Sequence, residues 1–258
     1  ALVMGIVSCL PFFFLTDKIF LIEGYIAGQF ISLSLLIPLI YKNLSTKTKS
    51  CNLSIQPYIN FPKYGTFSTL LNTISRNSVI YILNLFFTPA LVGLYTFTNR
   101  LVQAPIGLIT SSIGQAYFRD ASMAENPQEL RKLTFSIERI LALVAIIPVS
   151  IALLWGRIIF EFLFGAEWRG AGEIARYLAL WYGTSLIITP LSMLIDVKGH
   201  LKWELAYNFV FAFFRIGILI LGGLWGDFKW TMILFCTVSV IFNLYLLMFV
   251  RQLVKNEN

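Results

Sequence analysis

Long apolar stretches recur along the chain and constrain its fold more than any other feature. A helix needs about 20 predominantly apolar residues to cross the hydrocarbon core of a membrane. Only 13% of the 258 residues are charged, about half the share in a typical soluble domain. The sequence therefore predicts an all-α polytopic membrane protein with about eight transmembrane helices. The candidate segments are 2–16, 19–41, 64–86, 90–118, 134–155, 173–195, 201–223 and 229–250.

The first apolar segment, ALVMGIVSCLPFFFLT, is not typical of a signal peptide. It lacks a basic n-region and a small-residue cleavage site. A helix that is entered part-way fits better, so we expect the chain to be the C-terminal piece of something longer.

Lysine and arginine are distributed unequally between alternate loops, which predicts the orientation of the helices. The richer set of loops has eleven basic residues against four in the other set, so we expect it to be cytoplasmic, together with the C-terminus. The eleven are Lys42, Lys47, Lys49, Lys63, Arg119, Arg131, Lys132, Lys198, Lys202, Arg251 and Lys255, and the four are Lys18, Arg157, Arg169 and Lys229.

Three arginines lie near the middle of predicted membrane segments. They are Arg76 in the third segment, Arg100 in the fourth and Arg215 in the seventh. An arginine at the bilayer centre costs about 2.5–3.5 kcal/mol even on the most lenient scale, so such residues usually face a bundle interior or a watery cavity. We expect a polar cavity at this depth, and three further polar residues are candidates for its lining: Asn72, Asn77 and Gln103.

The central charges are all positive, and no Asp or Glu accompanies them at the same depth. A cavity lined by unpaired guanidinium groups suits an anion, because their planar fork binds phosphate with two hydrogen bonds. Arg139 and Arg176 lie nearer predicted helix ends. For these two we expect snorkelling or a local ion pair, with Glu138 and Glu173 respectively.

The third and fourth segments contain further features that bear on a transport path. In the third, Leu71, Ser75, Ser78 and Ile82 share one helical stripe beside Asn72 and Arg76, which predicts either a polar face towards a lumen or an interfacial amphipathic helix. In the fourth, Pro105 and Gly107 stand within QAPIGLITSSIGQA. This stretch predicts either a gating hinge or static close packing.

The sequence contains no convincing catalytic or metal-binding set. No G-x-S-x-G, H-E-x-x-H or Walker A motif occurs, His200 is the only histidine, and three distant cysteines form no C-x-x-C pair. We therefore expect no cofactor and no enzyme activity. No nucleic-acid partner is expected either, because basic clusters with interleaved aromatics are absent outside the membrane segments. Five tryptophans near predicted helix ends are read as interfacial anchors: Trp155, Trp168, Trp181, Trp225 and Trp230.

Two strings resemble a known family of membrane proteins. TPALVGLYTFTNRLVQAPIGLITSSIGQAYFRDAS (88–122) and FLFGAEWRGAGEIARYLALWYG (162–183) are similar to the polysaccharide-export flippases, the Wzx-like branch of the MOP exporter superfamily. The second string has the family's F-G-x-x-W-x-x-A-G run, and the Pro190-Leu191-Ser192 triplet also fits. The resemblance covers roughly residues 64–250.

The resemblance implies two six-helix lobes around a cationic cavity, which flip polyprenyl-pyrophosphate-linked oligosaccharides such as O-antigen units of lipopolysaccharide across the bacterial inner membrane. Residues 1–41 would be the last two helices of the N-terminal lobe, 42–63 a cytoplasmic linker, 64–250 the C-terminal lobe and 251–258 a cytoplasmic tail. Arg76, Arg100 and Arg215 would bind the pyrophosphate and acidic sugars. Membrane lipids and glycan polymerase machinery are the other expected partners.

Three alternatives stay open at this point. A multidrug exporter of the same superfamily should show central carboxylates. An integral-membrane enzyme that modifies glycans should show acid–base residues on a large external loop. The third alternative is an inactive fragment. The stretch FLFGAEWRGAG (162–172) is expected to be an external connector between two helices, with Gly165, Gly170 and Gly172 allowing the turn.

Overall fold

The computed structural model of the protein describes Ser34, residues 64–124 and residues 126–255. The chain divides into two compact units, Ala1–Gln56 and Pro57–Asn258. The predicted helices 2–16 and 19–41, the linker 42–63 and residues 256–258 lie outside the described residues. All regular structure in 64–124 and 126–255 is helical, which confirms the all-α class.

Six long helices and one short helix make up the described part of the second unit. Proline occupies the first position of two of them, where its fixed φ angle and missing N–H do no harm. The elements are α1 (Thr66–Phe86), α2 (Pro89–Met123), α3 (Pro127–Phe164), a single 3₁₀ turn (Ala166–Trp168), α4 (Arg169–Leu191), α5 (Met193–Val197), α6 (Leu201–Trp225) and α7 (Phe228–Lys255).

Among the described residues, four segments are long and apolar enough to cross a membrane. They are Pro127–Phe164, Ala166–Val197, Leu201–Trp225 and Phe228–Lys255. The predicted segments 64–86 and 90–118 do form helices, α1 and α2, but their polar residues keep them out of that apolar class. A polytopic membrane protein is therefore confirmed, with four of the predicted spans recovered as apolar helices.

The helices extend further than the apolar stretches that predicted them. The charged loop expected over 119–133 is mostly wrong, because α2 continues to Met123 and α3 begins at Pro127. Likewise α7 continues to Lys255 instead of ending at 250. Hydropathy marks only the part of a helix that needs an apolar environment, whereas backbone hydrogen bonding continues through amphipathic turns at either end.

Helix α4 is the central element of the bundle. It packs against α2, α3 and α7, while α1 packs on α6 and α6 on α7. The contact between α3 and α4 is a backbone contact: a Cβ added at Gly172 would lie 2.4 Å from the carbonyl oxygen of Gly156. Two glycines therefore allow the helices to approach more closely than any side chain would permit.

The helices alternate in direction and share two cores, one towards each end of the bundle. The first core joins α1, α2, α4, α6 and α7 through residues such as Leu83, Leu178 and Phe235. The second joins the C-terminal half of α2, the start of α3 and the end of α7 through Tyr117, Leu130 and Val250. We call the second end the basic end, because seven cations of the described chain cluster there: Arg119, Arg131, Lys132, Lys198, Lys202, Arg251 and Lys255.

The outer surface of the bundle is strongly apolar. Helix α3 is the clearest case: only 17% of its most apolar window is buried, compared with 61% for the segment that contains α4. Ile147 and Ile158 on α3 and Phe162 near its end are more exposed than buried. A continuous apolar face of this kind is unfavourable in water and is typical of contact with lipid.

Candidate functional site

Arg215 lies inside the bundle, in a cage of aromatic rings. Arg215 is only 4% exposed. Its guanidinium carbon lies 4.2 Å from the ring centroid of Phe211, 5.6 Å from that of Phe235 and 5.9 Å from that of Trp181. These rings come from α4, α6 and α7. They supply cation–π attraction, which is worth about 2 kcal/mol or more where the cation is desolvated.

Aromatic faces leave the hydrogen-bonding capacity of this guanidinium unfilled. The buried Nε of Arg215 has no hydrogen-bond partner among the described residues. The ion pairs found within 64–124 and 126–255 do not include it. A buried cation without a carboxylate is expensive, so such a group calls for an explanation in terms of function.

Arg76 brings a second positive charge to the same region. It lies on the exposed side of α1, the helix that packs against α6. No ion pair within the described ranges includes Arg76. Two positively charged residues without a described acidic partner therefore lie on two helices in contact.

The other predicted lining residues are placed along α1 and α2. Asn72 and Asn77 are exposed on α1, Arg100 is exposed on α2, and Gln103 is half-buried on α2. The structure joins Arg100 to neither Arg76 nor Arg215. The expectation that the three arginines line one cavity, and the roles of all six side chains in binding, stay predictions.

Sequence reasoning missed the part that α4 plays in this site. Trp181 was read as an interfacial anchor, which is wrong, because its ring is 9% exposed and packs 5.1 Å from Phe235, centroid to centroid. The adjacent Tyr182 donates a hydrogen bond of 3.3 Å to Asn99 Oδ1 on α2. The available signal was that this tryptophan lies in the middle of a 23-residue helix and not at its end.

The residue stripe predicted on α1 lies on the side of the helix that packs into the bundle, and the polar residues beside it lie on the exposed side. Ser75 and Ile82 are buried against the bundle, whereas Asn72 and Arg76 point outward. The polar surface of α1 is therefore the Asn72–Arg76 side. Ser75 and Ser78 belong to the packed side, where the hydroxyl of Ser78 donates to the carbonyl of Ser75.

The two candidate hinge residues lie in open space. Pro105 and Gly107 are exposed inside α2, and a Cβ added at Gly107 would meet nothing within 4 Å. Close packing instead occurs at Gly114, whose added Cβ would lie 2.9 Å from the methyl carbon of Met193. No described residue therefore packs against Gly107, and its role as a hinge stays a prediction.

The two acids near Arg139 and Arg176 are paired with more distant arginines. Glu138 is buried on α3, and both of its oxygens accept hydrogen bonds from Arg251 on α7, with 3.1 Å for the Nε contact. Glu173 lies 3.3 Å from Arg157. The predicted ion pairs Glu138–Arg139 and Glu173–Arg176 are therefore wrong, and both arginines are exposed instead.

The stretch 162–172 is a very short connector with packing on both sides. Gly165 has φ 99°, a left-handed value that favours glycine, and ends α3. Gly170 and Gly172 are already in α4, where Gly172 meets Gly156, so close contact and not turning explains them. The ring of Trp168 packs against that of Phe97 in a tilted arrangement, with 4.0 Å between centroids, which makes it part of a packed cluster.

The described residues offer no candidate metal centre. No group of three or more His, Cys, Asp and Glu side chains in 64–124 and 126–255 could hold a metal ion. Asp196 and Glu204 are the half-buried carboxylates at the basic end, and Glu204 accepts a hydrogen bond of 3.2 Å from Ser68. The arrangement around Arg215 is therefore suited to holding an anion, with no described residue set for metal chemistry.

Comparison with known families decides the class of protein. A family model described as polysaccharide biosynthesis protein matches residues 1–173. The chain belongs to this family. The match includes α1, α2, α3 and the first turn of α4, hence Arg76 and Arg100, while Arg215 lies beyond it. Searches of curated proteins and of solved structures found no match.

Membership of the polysaccharide biosynthesis family confirms the resemblance seen in the sequence. The resemblance was placed over residues 64–250, and the family match overlaps it from 64 to 173. Together with the four apolar helices, the match establishes a membrane protein of polysaccharide biosynthesis.

Proposed function

We propose that this chain takes part in flipping a polyprenyl-pyrophosphate-linked oligosaccharide across the bacterial inner membrane. It belongs to a Wzx-like flippase of the MOP superfamily and carries O-antigen or a similar glycan unit for lipopolysaccharide or another surface polysaccharide. The chain moves its substrate by alternating access and catalyses no reaction. The basic end, with the C-terminus, faces the cytoplasm, in keeping with the positive-inside rule.

One observation supports this proposal above the others: Arg215 is buried among aromatic rings without an acidic partner in the described chain, on a helix that packs against the one carrying Arg76. Mutual repulsion and desolvation both raise the free energy of this arrangement. A pyrophosphate that carries several negative charges offsets both terms. Cationic drugs would add to the repulsion, so the site does not favour a multidrug exporter.

The two arginines contribute in different ways because their exposure differs. Arg76 is exposed on α1 and is the group that touches phosphate oxygens directly, with two hydrogen bonds. Arg215 is covered by its aromatic rings, so it acts as a fixed positive charge through a medium of low dielectric constant. It needs no contact with the substrate to lower the free energy of an anion at Arg76.

The exposed polar residues of α1 and α2 then bind the remainder of the substrate. Arg100 and Gln103 lie one turn apart on α2 and suit acidic or hydroxyl groups of the glycan. Asn72 and Asn77 flank Arg76 on α1. Beyond Gln103, Pro105 and Gly107 form the hinge about which the outer half of α2 moves.

Replacing Arg76 or Arg100 with alanine should stop export of the surface polysaccharide. Each change is introduced at the native locus, so that the chain is tested in the protein as the cell makes it. Surface polysaccharide is measured with lectins or antibodies, and the amount of protein in the membrane is measured by immunoblotting. Arg176→Ala is the matched control, because Arg176 is equally exposed on α4 but away from the site.

We expect a loss of export of at least tenfold in either site variant, unchanged export in the control, and equal amounts of protein in the membrane in all strains. Normal export with Arg76→Ala would rule out the proposed anion site. If the glycan intermediate accumulates with an altered mass in the variants, the protein is a glycan-modifying enzyme instead.

A further inference from the structure

A groove with three cations runs along the outer face of α3 at the basic end. It has a volume of about 630 Å³, and the described residues that line it include no acid. The cations are Arg131, Lys132 and Arg139, and all three are exposed. The remaining lining residues are Gln128, Phe135, Ser136, Ile140 and Leu143.

The spacing of the lining residues explains why the groove is continuous. Its residues recur every three or four positions from 128 to 143, so they share one face of α3. Arg131 extends over the ring of Phe135, with 5.9 Å from its guanidinium carbon to the centroid. The aromatic ring thus forms an apolar floor beneath the charged groups.

The same face of α3 changes from charged to apolar at Arg139. From Ile140 to Gly156 the helix has no charged residue, which corresponds to about 24 Å at 1.5 Å per residue. Ile140 and Leu143 are 54% and 60% exposed. Because the hydrocarbon core is about 30 Å thick, Arg139 lies close to the edge of the acyl region.

Arg131 lies about 12 Å further along the helix axis than Arg139. The headgroup layer on each side of the core is roughly 5–8 Å thick. Phosphate groups of the bilayer are therefore expected between Arg139, which snorkels outward, and the pair Arg131 and Lys132. No single residue is placed at the phosphate; the three cations bracket its depth.

The neighbouring acids do not neutralise this set. Glu138 immediately precedes Arg139 on α3, but it is buried and bound by Arg251. Glu129 is exposed in the first turn and does not line the groove. The ion pairs in the described chain include none of the three cations.

We propose that this groove binds the headgroup of an anionic phospholipid from the surrounding leaflet, with an acyl chain lying along Ile140 and Leu143. The three cations attract the phosphate, and the apolar continuation selects a lipid over a soluble anion. Each basic residue near an anionic lipid surface strengthens binding by about fivefold. The site is separate from Arg76 and Arg215 and does not depend on the proposed transport function.

Native mass spectrometry of the purified protein in detergent micelles tests the site, with dioleoyl phosphatidylglycerol as the probe and dioleoyl phosphatidylcholine as the zwitterionic comparison. The test variant is Arg131→Gln/Lys132→Gln/Arg139→Gln. The matched control is Arg119→Gln/Arg176→Gln/Lys255→Gln, which also removes two arginines and one lysine from exposed positions. Arg131→Lys/Arg139→Lys keeps the charge and guards against misfolding as the cause of any loss.

The proposal predicts preferential retention of phosphatidylglycerol by the wild type, the control triple and the Lys variant. The test triple should bind it between ten- and a hundredfold more weakly, with an unchanged circular dichroism spectrum. Inorganic phosphate at the same concentration should not displace the lipid. Equal binding of both lipids by the wild type, displacement by inorganic phosphate, or undiminished binding by the test triple would each overturn the proposal.

Discussion

Arg251 and Arg215 lie on neighbouring helices of the bundle, but their surroundings are opposite in kind. Arg251 on α7 is bound by the carboxylate of Glu138, and its side chain is 44% exposed. Arg215 on α6 is buried among three aromatic rings and has no carboxylate partner in the described chain. The first charge is neutralised by a carboxylate of the protein, whereas the second is not neutralised by any described residue.

The contrast separates a structural use of charge from a functional one. Glu138 and Arg251 join α3 to α7 at the basic end, far from the centre of either helix. At the level of Arg215 the protein uses ring faces instead. Rings partly compensate a cation without cancelling its charge, because they attract through a quadrupole and carry no net charge. The proposed pyrophosphate site requires this property.

The largest effect should follow replacement of Arg251 with methionine. The change leaves the carboxylate of Glu138 buried and unpaired, so the free energy of unfolding should fall by about 2–3 kcal/mol. Protonation of Glu138 keeps the loss below the full cost of a buried charge. Unfolding of the purified protein in mixed micelles with increasing sodium dodecyl sulfate measures the difference.

The double variant Glu138→Leu/Arg251→Met serves as the control for that measurement. It removes both charges together and should recover most of the lost stability, since a buried pair and an apolar pair of similar volume are often equivalent. A double variant that is as unstable as Arg251→Met alone would show that packing at α7, and not the unpaired carboxylate, causes the loss.

Replacing Arg215 with methionine should change the free energy of unfolding in the opposite direction. Methionine keeps the contacts with Phe211 and Trp181 through its own side chain, since sulfur packs favourably on aromatic rings. It also removes a desolvated charge and its repulsion with Arg76. We expect Arg215→Met to gain about 1–2 kcal/mol in the same unfolding assay while losing polysaccharide export.

Arg76→Met is the matched control for the gain in stability expected from Arg215→Met. Arg76 is exposed, so its replacement should change the free energy of unfolding by less than about 0.5 kcal/mol. Destabilisation by Arg215→Met would mean that ring contacts outweigh desolvation, and the site would then be structural.

Much of the helical framework followed from the sequence, because apolar stretches of sufficient length have few alternatives to a membrane helix. The segments 134–155, 201–223 and 229–250 each lie inside an observed helix. Helix ends were less predictable. Pro127 begins α3 within residues that looked like a charged loop, and only the position of a proline at a helix start signalled it.

The candidate site was predictable only in part. A lone arginine in an apolar segment is visible in a sequence, so Arg76 and Arg215 could be identified as candidates. Their surroundings could not, because Trp181 and Phe235 come from other helices. The pair Glu138–Arg251 was missed for the same reason: its members are 113 residues apart, and no local period connects them.

The smallest effect concerns the rings themselves, and a double-mutant cycle between Phe211 and Arg215 measures it. Phe211→Leu is made in the wild-type and in the Arg215→Met background, and the unfolding assay gives the four free energies. The coupling energy should be about 0.5–1 kcal/mol, since the guanidinium lies 4.2 Å from this ring in a buried setting. The comparison is the pair of exposed Arg131 and half-buried Phe135, with 5.9 Å from guanidinium carbon to ring centroid, which should couple by no more than about 0.3 kcal/mol. Equal coupling in the two pairs would mean that burial adds nothing to the ring contact, and the distinction between Arg215 and Arg251 would then rest on the missing carboxylate alone.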